Sequence, residues 1–165
     1  MPLFRVAILS LLFATAPVNA QIDATMPIIA KAEQAKIYAS AGAVRRGRSW
    51  TLCAEDLTSQ GAAIELYRDL NGDESPEAVV TDGSAKCYGF TGAGFVLVSR
   101  DAAGTWTRID NGPGMIDFLK TKGIGGWPDM QVGGAGYCFP VMRWDGKAYT
   151  LHRHEYQGKR CQPPR

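Results

Sequence analysis

From Trp50 onward the chain breaks into short β-type runs, SWTLC, IELYRD, EAVVTD, GFVLVSR, TWTRID, DMQVG, CFPVMRW and AYTLHR, separated by Gly, Asp and Asn. Runs of this kind between turn formers predict strands. One stretch interrupts them: MIDFLKTK, Met115 to Lys122, lies between Gly114 and Gly123 and reads as a short helix. Ahead of the strands, IIAKAEQAKIYASAG follows Met26-Pro27; its Ala-rich interior and terminal Gly42 predict a helix of about three turns. Helix, strands, short helix and more strands, in that order, predict an α+β domain built on antiparallel sheet.

An internal likeness sharpens the prediction. Pro76-Glu77, a β run and Cys87 match Pro128-Asp129, a β run and Cys138, at offsets of 52 and 51 residues. FVLVSRDAAGTW, from Phe95, likewise matches FPVMRWDGKAY, from Phe139, where Asp145-Gly146 is a strong hairpin signal. Two blade-like β units are therefore expected, with the N-terminal helix in front and the short helix between them. A closed propeller needs at least about four blades. The N-terminal helix and the cysteines are then the candidates for covering the sheet edges.

The first twenty residues, MPLFRVAILSLLFATAPVNA, have one early positive charge at Arg5, an apolar core and small residues before Ala20. This is the signature of a secretory signal peptide cleaved after Ala20, leaving one domain over residues 21–165. The apolar core is shorter than the about 20 residues a membrane span requires, so no membrane insertion is expected after cleavage. What remains has 17 Lys and Arg against 16 Asp and Glu. So small a net charge gives no field to attract nucleic acid. The one basic run, Arg45-Arg46-Gly47-Arg48, reads as a solvated patch. Cys53, Cys87, Cys138 and Cys161 are an even set on an exported chain, and of three connectivities Cys53–Cys87 with Cys138–Cys161 is expected. No two of them have zinc-site spacing. A periplasmic or secreted location follows.

DLNGDESPE, Asp69 to Glu77, spaces oxygen carriers as calcium loops do. An EF-hand is excluded because Glu74 and Val80 stand where it requires Gly and Glu. The stretch resembles the D-x-D/N-x-D-G-x-x-D loop of FG-GAP and VCBS repeats, which implies Asp69, Asn71, Asp73 and Glu77 as calcium ligands. It departs from that pattern at Glu74, in place of Gly, and at Glu77, in place of Asp. The competing reading is a metal-free turn, since Asp and Asn side chains bond nearby backbone groups. Apart from calcium, no cofactor is indicated. EAVVTDG, GWPDMQVGGAGYCFPVMRW and RHEYQGKRC together resemble a family of small exported bacterial proteins with RDLNGDGxPEAVV and GWPDxxVGGxGxCFPVxRW stretches, over nearly all of the exported chain. That resemblance implies export and carries no activity with it.

His152-Arg153-His154-Glu155 offers another metal set: on a strand, residues two apart face the same way, so His152 and His154, with Glu155, could meet one ion. Surface histidines are the simpler reading. Ser49, Ser84 and Ser99 lack nucleophile-elbow context. The Gly123–Gly126 and Gly133–Gly136 runs precede no helix, so they read as turn glycines and not a phosphate cradle. Trp50, Trp106, Trp127 and Trp144 suit either a carbohydrate platform or a core, and the core is favoured. The expected role is an exported, non-catalytic binding or structural protein of the bacterial envelope, meeting an envelope protein or cell-wall component. The rival readings are a small metal-dependent hydrolase and a calcium-stabilised module.

Overall fold

The computed structural model describes residues 26–163; the expected signal peptide and its cleavage point lie outside them. Helix α1 spans Lys31–Ala41. It ends where Gly42 takes a left-handed φ of 81° and its N–H turns back to the Ala39 and Tyr38 carbonyls. A small hairpin follows, β1 (Val44–Arg46) with β2 (Ser49–Thr51). Next come β3 (Ala63–Arg68), β4 (Glu77–Gly83), the single-turn helix α2 (Ala85–Tyr88), β5 (Ala93–Arg100) and β6 (Trp106–Pro113). The last segments are β7 (Met115–Lys122), β8 (Pro128–Gly133), β9 (Phe139–Trp144), β10 (Tyr149–Tyr156) and β11 (Lys159–Arg160). All pairings are antiparallel.

The strands form three sheets, β1-β2, β3-β4-β5-β6 and β11-β10-β9-β8-β7. The expectation of two blade-like units is corrected accordingly: the fold is β-rich, with eleven strands in three sheets among the described residues. The expected short helix at MIDFLKTK is also corrected, because these residues are β7, paired with β8 from Met115↔Gly133 to Phe118↔Met130. Ile116 and Phe118 turn to the core while Met115 stays exposed, so the segment alternates with period two.

The four-stranded sheet is the middle of three layers. Ala78, Val80, Val96 and Val98 meet Ile37 and Ala41 of α1 on one face. Val79, Phe95 and Leu97 meet Met130 and Tyr149 of the five-stranded sheet, and Trp127 just before β8, on the other. Burial on both faces explains why β4 and β5 read as unbroken apolar runs rather than alternating ones. The bulge between Ile64 and Leu66 turns Ile64 to the helix layer and Leu66 to the opposite core. Cys53–Cys87 and Cys138–Cys161 are bonded, as expected, with Cα atoms 6.0 and 5.7 Å apart. Such bonds are consistent with an oxidising compartment. No helix among the described residues is long and apolar enough to cross a membrane.

Candidate functional site

The acidic turn between β3 and β4 satisfies itself. Asp69 accepts the Gly72 N–H at 2.7 Å and the Glu74 N–H at 3.0 Å. Asn71 accepts the Asp73 N–H, and Asp73 accepts the Ser75 N–H. Glu74 takes a left-handed φ of 67° at the position where FG-GAP loops carry Gly. Glu77 is fully buried; one oxygen accepts the Leu70 N–H at 2.7 Å and the other the Ser99 hydroxyl at 2.8 Å. Burial pushes its carboxyl pKa up, and Asp73 and Asp69 add to the rise against the two hydrogen bonds.

Calcium needs six to eight oxygens turned toward one point. Among the described residues, no three His, Cys, Asp or Glu side chains are grouped to hold a metal ion. Of the four expected calcium ligands, Asp69, Asn71 and Asp73 cap the turn's own amides and Glu77 is folded into the sheet. The histidine set does not assemble either. A bulge between Leu151 and Arg153 breaks the alternation that would align His152 with His154, and Glu155 is held by Arg153 at 2.5 Å.

A polar cluster that sequence reasoning missed lies on the five-stranded sheet. Met130 points into the inter-sheet core, so its neighbour Asp129 projects from the opposite face. There Arg143 donates to both Asp129 oxygens at 2.8 Å, Arg153 donates at 2.7 Å and the Thr121 hydroxyl at 2.6 Å. Burial would raise the Asp129 carboxyl pKa, but these bonds outweigh it and hold the group well below the usual range. The available signal was Pro128-Asp129 itself, an acid opening an apolar strand just as Glu77 does. Asp82 is a third committed carboxylate: it accepts from Thr51, the Leu52 and Cys53 N–H groups and Ser59.

The basic run is split by the β1-β2 hairpin. Arg46 folds back to donate to the Ala54 and Asp56 carbonyls. Arg45 and Arg48 instead line a cleft of about 590 Å³ between the hairpin and α1, together with Lys31, Gln34, Tyr38 and Trp50. Tyr38 and Trp50 are stacked there, with centroids 5.3 Å apart and planes 13° from parallel. No acidic residue lines this cleft. The other tryptophans serve packing: Trp106 and Trp127 are buried, and Trp144 lies against Trp127 and Tyr149.

No protein-family model, no curated protein and no solved structure matches this chain.

Proposed function

We propose that the protein is an exported, non-catalytic binding protein of the bacterial envelope, using the cleft between α1 and the β1-β2 hairpin to hold an envelope component. One observation carries the reading. Lys31, Arg45 and Arg48 line a cleft without acidic partners, whereas Asp129, Glu77 and Asp82, the buried carboxylates described above, are tied up inside the scaffold. Charge held in a concave surface and left uncompensated is suited to recognition. The two disulfides suit the periplasmic or secreted location that the leader sequence implies.

The test is co-sedimentation of the exported form with isolated envelope fractions and cell-wall sacculi, followed by mass spectrometry of the fraction. Retention without chemical change in the fraction is the expected result. Absence of retention by every fraction, or appearance of cleavage products, would overturn the proposal.

A further inference from the structure

Resting on that reading, we infer that the ligand of the α1–hairpin cleft is a saccharide bearing carboxylates on more than one sugar ring. Three features converge on this class. First, the cations are spread over two walls, Lys31 on the helix and Arg45 and Arg48 on the hairpin, and none of the three makes an ion pair among the described residues. Charges spread in this way match an extended polyanion better than one compact anion. The guanidinium fork also pairs a planar carboxylate through two parallel bonds.

Second, the cleft has a ring-binding element. The Trp50 indole is held against Tyr38, whose hydroxyl reaches the Ala62 carbonyl at 3.3 Å, so the aromatic pair is fixed before any ligand arrives. A preset aromatic surface costs little conformational entropy on binding and suits the apolar face of a sugar ring. Third, Gln34, Gln60 and Ser49 also line the cleft and supply neutral groups of the kind that bond sugar hydroxyls. The Gln34 amide already donates to the Ile29 carbonyl, which anchors it, and its oxygen remains as an acceptor. The cleft volume lies within the range of small-ligand sites, about 300–1,000 Å³.

The location is unexpected on charge alone. From Val44 to Gly114 the chain carries ten Asp and Glu against seven Lys and Arg, yet none of those acids enters the cleft. Arg46, the middle arginine of the run, is bonded to the Ala54 and Asp56 carbonyls and holds the hairpin in place while its neighbours face the opening.

The experiment is calorimetric titration of the exported form, with parallel amide and indole NMR spectra. The probes are a glucuronate–hexosamine tetrasaccharide, a neutral chitin tetrasaccharide and inorganic phosphate. The acidic tetrasaccharide should bind at least about tenfold more tightly than the neutral one, weaken steeply with salt and shift the Trp50 indole signal. The double variant Arg45→Gln/Arg48→Gln, both exposed residues, should keep the wild-type melting temperature and lose about tenfold or more in affinity. Equal binding of acidic and neutral sugars, unchanged affinity in the double variant, or phosphate alone shifting Trp50 equally well would each overturn the inference. Retention on an envelope fraction without binding of the acidic saccharide would overturn it while leaving the binding-protein reading intact. Failure of both would remove both.

Discussion

Gly126 approaches Asn71 so closely that a Cβ built on the glycine would stand 2.3 Å from the Asn71 carbonyl oxygen. The contact joins the acidic turn of the four-stranded sheet to the Gly-rich turn before β8, two motifs 55 residues apart in the sequence. Gly126 also has a φ of 79°, so both its backbone angle and its neighbour exclude a side chain. Its neighbour Gly125, with a φ of 64° but no atom nearer than 3.7 Å, provides the control. Gly125→Ala should cost about 1 kcal/mol for backbone conformation alone, and Gly126→Ala about 3 kcal/mol. Urea unfolding of the two variants checks the difference, and equal costs would show that the turns do not bear on each other.

Asp129 is fully buried while its partners reach the surface unequally, the Arg143 side chain being 34% exposed and that of Arg153 only 9%. Asp129→Asn leaves two arginines without their carboxylate and should destabilise the fold by about 3 kcal/mol, the lower end for a broken buried pair because Arg143 can turn to water. The folded carboxyl pKa is lowered, so its stabilisation is complete above the unfolded value near ~3.9 and is lost as pH falls through the folded one. Melting curves of Asp129→Asn should therefore converge on those of the wild type toward acid. A gap that stays constant with pH would contradict the ion-pair account.

The two disulfides should not contribute alike. The segment at Cys53 is also held by Asp82, through Thr51, Leu52 and Cys53 itself, whereas Cys138–Cys161 anchors a β11 of only two residues. Replacing Cys138 and Cys161 by Ala should cost up to about 3 kcal/mol and expose the β10 and β11 amides to hydrogen exchange. Replacing Cys53 and Cys87 should leave β2 amide protection largely in place. Hydrogen exchange of both double variants, read segment by segment, checks the contrast.

The parts of the fold that local chemistry dictates were legible in the sequence. Helix α1 was marked by its alanines and Gly42, and β4 and β5 by β-branched runs that burial on both faces keeps apolar. Met115 to Lys122 misled because Met115, Phe118 and Leu119 fall at helical spacing, and only pairing with β8 selects the extended form. The candidate site was visible only as residue types. Nothing local to Arg45, Arg46 and Arg48 says that the middle one is bonded inward, or that a lysine from α1 joins the other two. The bulge that separates the histidines likewise depends on register with β9, which no short motif records.

The self-capped acidic turn makes a prediction about metal. A ligand that binds only the folded state raises the melting temperature with its concentration. Because the turn's carboxylates already cap its own amides and Glu77 is folded away, melting in about millimolar calcium and in chelator should coincide. A calcium-dependent rise of several degrees would show that the turn rearranges to bind the ion.

Glu77 gives the opposite pH signature to Asp129, although both are buried carboxylates near the start of a second strand in their sheets. Its folded pKa is raised by burial in spite of bonds from Leu70 and Ser99. The folded state thus holds the proton more firmly than the unfolded chain, so this contribution is present in full below the unfolded value near ~4.3 and is lost as pH rises through the folded one. Glu77→Gln keeps an acceptor for the Leu70 N–H and carries no charge, while its amide can donate to the Ser99 oxygen. At pH 7 the variant should be as stable as the wild type or more so, and its advantage should shrink on acidification. Glu77→Ala removes the acceptor as well and should be about 2 kcal/mol less stable than Glu77→Gln at every pH, the cost of a buried Leu70 N–H without a partner plus the space left behind. Thermal melting of the three proteins from pH 4 to pH 8 separates charge from hydrogen bonding. A Glu77→Gln variant less stable than the wild type at pH 7 would mean that the ionised carboxylate is what the turn needs.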